Sequence, residues 1–462
     1  MTMPVLGPEI LTIIAALATM VIAACITSGV LRVLLVAQAV YWGMSYVARP
    51  VVLLAVRPEP RFGDNVADPR LADLGYDVAI GAALRPVAFG LALYAAVLLA
   101  YVLWSRGRTP RVAALAGDPD LIATLGVLYV LGTLARLASV AVGAAGAAGE
   151  VESASPVLSL LTMPATLGAI GAIVFLRARP STTAVILGMV LLGELWWTTA
   201  IQSKTPVLGA ALAIAVRFAL TGWSRAKLLG IGAVSGAGIA GFDWLQSLKS
   251  TPYLRAESAI VDSAYPEQVR PFLGLLRRFD LLEAATDAYY VGPSSWLSPG
   301  EVVGHLARSM VPSQLLTGEK LHSGTAWAQE VRGASVDMSQ ISVSLAEGNV
   351  NEGYVLGGTA GVVIGMLFTA VLLVGWSRSL YSRGLVAVMF GIALIEVPVV
   401  FERGMLGSAE TLGKYLQVVV LAWLTHLAVI EWRAYRERRN NEHVTTTAGP
   451  PAPAVVGSKG NQ

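Results

Sequence analysis

Long apolar segments alternate with short polar segments along most of this chain. A membrane-spanning helix needs about 20 predominantly apolar residues. The windows that meet this condition lie at roughly 9–28, 31–56, 77–104, 120–143, 157–177, 182–200, 206–223, 227–243, 357–376, 384–401 and 414–432. The pattern predicts an all-α polytopic membrane protein with about 11 transmembrane helices.

One large polar interval interrupts this series and divides the chain. Residues 1–243 are predicted to form an N-terminal membrane bundle of about eight spans, 244–356 one large loop, and 357–435 about three further spans. In the loop, Phe272, Leu276 and Phe279 recur at helical spacing, which predicts a short amphipathic helix. Ser298 and Glu301 predict the capped start of a second one. Residues 440–462 have little to bury and are predicted to form a disordered cytoplasmic tail.

Composition agrees with a membrane protein. Of 462 residues, 55% are hydrophobic and 14% are charged, with a mean hydropathy of +0.64. Soluble domains carry about 25% charged residues. The single cysteine, Cys25, excludes a disulfide within one chain and a cysteine-based metal site. A net charge of +3, spread over short loops, argues against a nucleic-acid partner.

Basic residues fall on alternate connections between the predicted spans. Cytoplasmic loops are enriched in lysine and arginine, so these connections are predicted to face the cytoplasm. The N-terminus and the large loop then face the extracytoplasmic side of the cytoplasmic (inner) membrane. The basic residues are Arg106, Arg108, Arg111, Arg177, Arg179, Arg225, Lys227, Arg378 and Arg383, followed in the tail by Arg433, Arg436, Arg438 and Arg439.

The run from Ser344 to Trp376 is the most informative stretch for function. Glu347 and Glu352 lie in a Gly- and Asn-rich segment that passes directly into an apolar span. Ionisable groups at such a depth are costly, which makes them functional candidates.

The adjacent Arg277 and Arg278 lie in the first predicted loop helix. Neighbours on a helix point about 100° apart, so at most one of them faces a given pocket. One interpretation is a solvated arginine paired with Asp280. The other is a guanidinium that binds a phosphate, which arginine geometry favours.

Lys204 lies just before Pro206 at the start of a predicted span and follows Glu194, Trp196 and Trp197. An interfacial aromatic belt with a snorkelling lysine explains the tryptophans. A cation beside a helix N-terminus is also an anion site. Both interpretations stay open at this point.

The charged residues within predicted spans include Arg85, Arg136, Arg217 and Glu396. Structural pairing is the simple explanation for each, and we prefer it for Arg217. Charges at membrane depth usually face a cavity or a partner. Arg85 and Arg136 are therefore weaker candidates for lining a substrate cavity.

Candidate metal ligands are poorly grouped, and no metal or other cofactor is expected. The four histidines, His305, His322, His426 and His443, form no close pair. The aspartates of the 63–73 segment suit either a divalent cation or, more simply, a hydrophilic loop rich in turn residues.

Three motifs around the large loop resemble those of the bacterial oligosaccharide repeat-unit polymerases, or O-antigen polymerases (Wzy-type). TAIQSKTPVLGAAL resembles the short turn with a basic residue, here Lys204, that opens a small-residue helix. LARSMVPSQLLTGEK resembles a segment that runs from a proline to a lysine, here Pro312 and Lys320. NEGYVLGGTAGVVIGM resembles a glutamate–aromatic–glycine run with Glu352 and Tyr354. Arginine is commoner than lysine at the first position, and Ser313 replaces a frequent arginine in the second motif.

This resemblance implies a metal-independent glycosyltransferase of the GT-C type. Such enzymes polymerise polyprenyl-diphosphate-linked oligosaccharides, which serve as both donor and acceptor. Membrane lipids, a flippase and chain-length regulator proteins are the further partners expected.

The leaving group of such a reaction is a lipid diphosphate, so fixed cations aimed at it would stabilise the transition state. Lys204, Arg278 and Lys320 are the first candidates, with Arg277, Arg85 and Arg136 as further binding residues. The attacking sugar hydroxyl needs a base, for which Glu352 is the first choice and His322 and Asp280 come next. Tyr354 is a candidate for stacking on a sugar ring.

Several rival functions remain open. An O-antigen ligase-like enzyme would use the same chemistry with a different acceptor. A transporter or flippase for the lipid-linked sugar predicts charges along a path between the two faces. A non-catalytic scaffold would tolerate loss of Lys204, Arg278 and Glu352. A metal-dependent transferase would use Asp64, Asp68 or Asp73.

Overall fold

The computed structural model describes residues 6–61, 64, 66–107, 113–143, 156–201, 203, 205–222, 224–225, 227, 229, 260–294, 296–312, 316, 320–338, 343–396 and 399–447. Within these ranges the regular elements are helices. Eight helices are long and apolar enough to cross a membrane. They are α1 (Pro8–Ile26), α2 (Val30–Val56), α4 (Tyr76–Trp104), α5 (Pro119–Ala141), α6 (Pro156–Phe175), α7 (Pro180–Ala200), α13 (Asn349–Ser379) and α16 (Met405–Thr447).

The described part of the chain also contains shorter α-helices. α8 (Thr205–Thr221) and α14 (Leu385–Glu396) are apolar. The others are α3 (Pro69–Asp73), α9 (Arg270–Leu276), α10 (Leu281–Val291), α11 (Pro299–Ser309), α12 (Ser323–Ala326) and α15 (Val399–Glu402).

The prediction of an all-α polytopic membrane protein is confirmed, but the count of about 11 spans is not. Most of the predicted span 227–243 lies outside the described residues, as does the tail from residue 448. α16 continues to Thr447, so the first residues of the predicted disordered tail are helical. The predicted capping box is present, because the Ser298 hydroxyl and the Glu301 carboxylate each accept a backbone N–H of the other residue.

The bundle has two chemically different ends. At one end, the Tyr381 hydroxyl accepts the backbone N–H of Val30 at 3.1 Å, and Arg433 binds Asp120 at 2.6 Å. These contacts bring the predicted cytoplasmic connections together, and we name this the arginine end. The opposite end carries α3, α9 to α12 and the segment that joins α14 to α16. We name it the loop end.

α13 contains a hairpin that the sequence pattern did not predict. Gly357 and Gly358 have non-helical backbone angles, and Gly358 has a φ of +56°, which favours glycine. The chain reverses there, so that the short arm (349–356) packs against the long arm (359–379). A Cβ on Gly361 would lie 1.9 Å from the carbonyl oxygen of Gly353, and one on Gly365 would lie 2.9 Å from that of Asn349. Small residues permit this close packing of helices.

A buried ion network attaches the large loop to the bundle. Asp287 of α10 is fully buried between Arg70, at 2.8 Å, and Arg332, at 3.0 Å. Arg332 also binds Glu283 at 3.0 Å, and Arg70 binds Asp68 at 2.7 Å. Because every charge has an opposite partner, this network fixes α10 over the α2–α4 connection.

Candidate functional site

The N-terminus of α16 is the centre of a cluster of carboxylates. The Glu352 carboxylate accepts the backbone N–H groups of Met405, at 2.6 Å, and Leu406, at 3.2 Å. These are among the N–H groups that a helix leaves unpaired at its start. The hairpin in α13 explains this placement. The short arm contains Glu352, lies alongside the long arm and reaches the start of α16.

Glu352 is almost completely buried at this position. Its side chain is only 1% exposed, and a Cβ on Gly404 would lie 2.2 Å from its carboxylate. The carboxylate complements the positive end of the α16 dipole. Its described contacts are those of a helix cap.

Glu347 lies beside Glu352 and is equally buried. Arg403 approaches its carboxylate at 3.7 Å and also donates to the carbonyl of Leu345. Burial raises the pKa of Glu347, and the nearby Arg403 opposes that rise. The backbone N–H of Gly348 donates to the carbonyl of Glu402 at 3.0 Å, which holds this segment against α15.

Arg278, a predicted phosphate-binding residue, is paired with a carboxylate. It binds Glu402 at 2.9 Å, and the Tyr41 hydroxyl donates to the same carboxylate at 2.9 Å. Burial acts to raise the pKa of Glu402, but Arg278 and Arg403 reverse this effect and the pKa is lowered. The Arg278 side chain is still 36% exposed.

A cleft of about 310 Å³ opens beside this cluster, between α11 and the segment that follows it. Three of its lining residues have basic side chains: His305, Arg308 and Lys320. Lys320 donates a hydrogen bond to the Val311 carbonyl. Burial and repulsion by Lys414 lower its pKa. The remaining lining residues are Leu297, Gly300, Glu301, Gly304, Ser309 and Leu321.

His305 connects the cleft to the carboxylate cluster. Its Nε2 lies 3.5 Å from the Glu410 carboxylate and 3.4 Å from the carbonyl oxygen of Leu406, the residue whose N–H binds Glu352. His322 lies on the other side of Glu410, with Nδ1 at 3.9 Å. The result is a histidine–carboxylate pair at the wall of a basic cleft.

The structure places other predicted residues around this site. Asp280 is at the start of α10, and its Oδ1 has no hydrogen-bond partner among the described residues. Burial raises the pKa of Asp280, against the opposing charges of Arg278 and Arg49. Arg277 pairs with Asp262, away from Glu402. Tyr354 is half-buried and packs against the hydrophobic cores on both sides of the short arm.

The remaining predicted binding residues are not part of the described site. Lys204 lies outside the described residues. Arg85 has a side chain that is 80% exposed and lies 4.0 Å from Glu9. Arg136 is buried and binds Glu194 at 2.7 Å, with its guanidinium 5.0 Å from the centre of the Trp197 ring. Structural pairing, the simpler interpretation, accounts for Arg136.

Two of the three aspartates considered for a metal, Asp64 and Asp68, have other partners. Asp64 accepts hydrogen bonds from the Tyr265 hydroxyl, at 2.8 Å, and the Val66 N–H. Asp68 caps α3 and binds Arg70. Across the described part of the chain, no three histidine, cysteine or acidic residues are grouped so as to hold a metal ion.

Sequence reasoning missed Glu402, Arg403 and Glu410, which the structure places at the centre of the site. All three fall in the interval between the last two predicted spans, which we treated as a short connection. The charged pair Glu402–Arg403, at a turn that the span count predicts to be extracytoplasmic, was the available signal.

Comparisons of the chain with protein-family models, curated proteins and solved structures gave no match. The fold alone therefore defines the class: an all-α polytopic membrane protein. At its loop end, a basic cleft adjoins buried carboxylates.

Proposed function

We propose that this protein is a metal-independent membrane glycosyltransferase that polymerises polyprenyl-diphosphate-linked oligosaccharides at the outer face of the cytoplasmic membrane. The observation that carries the proposal is the cleft, where Arg308 and Lys320 lie beside the pair formed by His305 and Glu410. Cations suited to a diphosphate thus adjoin a group suited to accept a proton. Transfer of a glycan from a lipid diphosphate to a sugar hydroxyl needs both.

The cations act on the leaving group. As the glycosidic bond breaks, negative charge grows on the departing diphosphate, and positioned cations stabilise that charge without reorganisation. Arg308 and Lys320 supply this charge in the cleft. Arg278 and Arg403 supply further positive charge beside the neighbouring Glu402, and the side chains of both remain partly exposed.

The base acts on the acceptor. His305 accepts the proton of the attacking hydroxyl, and Glu410 stabilises the imidazolium that forms. Glu352 was our first choice for this role, but its oxygens bind the α16 backbone. In this proposal Glu352 instead holds the N-terminus of α16, and with it Glu410, in position.

Outer-face placement is supported by the charge distribution. The connections rich in lysine and arginine meet at the arginine end, which the positive-inside rule assigns to the cytoplasm. The cleft lies at the opposite end, where lipid-linked repeat units are available after they have been flipped.

The test is an assay of the purified protein with synthetic polyprenyl-diphosphate repeat units. We expect a ladder of longer lipid-linked products, with and without a chelator. Arg308→Gln and Lys320→Gln should each slow ladder formation roughly 100-fold, the usual cost of removing one charge-stabilising donor. Arg57→Gln is the matched control, because Arg57 is an exposed arginine at the same end that pairs with Asp77. The absence of a ladder under all metal conditions would contradict the proposal.

Variants of two carboxylates distinguish a catalytic role from a structural one. Glu410→Gln should lower the rate by about 10² to 10⁴, because the base His305 loses the carboxylate that stabilises its imidazolium, while the melting temperature (Tm) changes little. Glu352→Gln should lower the free energy of unfolding by about 1–3 kcal/mol, because an amide NH2 group cannot accept the buried backbone N–H groups that both carboxyl oxygens accept. If Glu352→Gln abolished turnover at unchanged Tm, Glu352 and not His305 would be the base.

A further inference from the structure

A second polar cluster lies inside the bundle, away from the cleft. Arg136 of α5 binds Glu194 of α7 through two contacts, at 2.7 and 3.3 Å, and donates to the Thr166 hydroxyl of α6. Thr166 also hydrogen-bonds Glu396, the last residue of α14. The Tyr415 hydroxyl of α16 donates to Glu396 at 3.0 Å. Five helices therefore meet at this cluster.

The formal charges of the cluster do not balance. It has two carboxylates, Glu194 and Glu396, and one guanidinium, Arg136. The two-point contact pairs Arg136 with Glu194, whereas the described hydrogen bonds of Glu396 come from the neutral hydroxyls of Thr166 and Tyr415. Net charge inside an apolar bundle is costly, so the second carboxylate requires a cation or a proton.

The other elements packed against Glu396 contribute no compensating charge in the described part of the chain. α8 approaches through Gly209, where a Cβ would lie 3.2 Å from the Cα of Glu396. α6 contributes Thr166 and α16 contributes Tyr415. Polar atoms without partners lie nearby: the hydroxyl of the buried Thr198 and Nε of the buried Arg136 have no described hydrogen bond.

We propose that Glu396 is an intramembrane proton-binding site, which carries a proton at neutral pH and releases it at alkaline pH. Protonation makes the whole cluster neutral, with Arg136 and Glu194 as an ion pair and Glu396 as a carboxylic acid. The same carboxyl group fixes the end of α14 to α6 and α16. Binding of the proton therefore stabilises the packing of these helices, whether or not the protein transfers glycans.

A pair of isosteric variants tests this site. Glutamine imitates a protonated glutamate, so Glu396→Gln should leave the Tm unchanged at neutral pH. Glu194→Gln is the matched control, because it removes the partner of the buried Arg136 and should lower the Tm by on the order of 5 °C. At alkaline pH the wild-type Tm should fall relative to that of Glu396→Gln. Equal losses for the two variants at neutral pH would overturn the proposal.

Carbodiimide labelling gives a second measurement on the wild-type protein. A lipophilic carbodiimide adds across a protonated carboxyl group in an apolar environment, and the product rearranges to an N-acylurea without a leaving group. Mass spectrometry should find this adduct on Glu396 at neutral pH, less of it at alkaline pH, and none on Glu194. An unlabelled Glu396 would overturn the proposal. If Na⁺ at constant pH protected Glu396 from the carbodiimide, the ligand would be a monovalent metal ion and the proposal of a proton would be overturned.

Discussion

At the scale of single residues, two buried aspartates of the loop end differ in how completely their carboxylates are paired. This difference has consequences for stability. Asp287 is fully paired, with Arg70 and Arg332 on either side. Asp280, seven residues earlier in the chain, has an oxygen without a described hydrogen bond. Asp287 should therefore contribute to stability at every working pH, whereas Asp280 should make stability depend on pH.

Asp287→Asn should lower the free energy of unfolding by about 3–5 kcal/mol, because it leaves two buried arginines without their shared partner. Chemical denaturation in detergent micelles measures this loss. The control is Asp77→Asn, which removes an exposed pair with Arg57 and should cost no more than about 1 kcal/mol. A loss at Asp287 as small as that of the control would show that the network does not hold the loop on the bundle.

Asp280 predicts a pH dependence with a definite sign. Burial raises its pKa above the ordinary 3.8, so the folded state favours the protonated form. The stabilisation is complete below the ordinary pKa and is lost as pH rises through the raised value. Asp280→Asn removes this titration. The Tm of the wild type should therefore fall relative to that of the variant as pH rises above 4, and parallel curves would contradict the assignment.

At the scale of elements, the hairpin in α13 decides which residues meet. The short arm brings Glu352 to the start of α16, while the long arm alone is long enough to cross the membrane. Glycines at the contact make this possible, because their backbones approach more closely than any side chain allows. The hairpin also explains why Glu352 is buried.

A pair of glycine variants tests the hairpin. Gly361→Ala should lower the Tm markedly, because its Cβ would lie 1.9 Å from the Gly353 carbonyl oxygen. Gly375→Ala, in the same arm, has nothing within 4 Å of the added Cβ and should be neutral or stabilising by up to about 1 kcal/mol. Similar Tm values for both variants would mean that the two arms do not pack in this way.

Sequence patterns predicted the helices better than their arrangement. Apolar windows located the membrane helices because burial in lipid demands about 20 apolar residues, and capping chemistry located α11. The hairpin was missed because Gly357 and Gly358 stand at the start of the predicted span 357–376, where a polar segment that passes directly into an apolar one resembles the beginning of a single helix. Glu402, Arg403 and Glu410 were missed because their importance depends on contacts with Arg278, Glu347 and His305, which are distant in sequence.

At the scale of the whole molecule, charge is sorted between the two ends of the bundle. Basic side chains of the predicted cytoplasmic connections, such as Arg378 and Arg433, lie at the arginine end, while the loop end combines a basic cleft, buried carboxylates and the ion network that anchors the loop. Within the membrane, Arg136 and Glu396 have local partners and form no described path from one end to the other.

The central claim is that the cleft beside α11 binds the diphosphate of a lipid-linked oligosaccharide. Its most direct test is a synthetic polyprenyl-diphosphate oligosaccharide with a photoreactive group next to the diphosphate, crosslinked to the purified protein and mapped by mass spectrometry. We predict crosslinks in the peptides that contain Arg308 and Lys320, and we expect them to be lost on competition with unmodified lipid-linked substrate. Competable crosslinks confined to the arginine end or to the helices around Arg136 would contradict the claim.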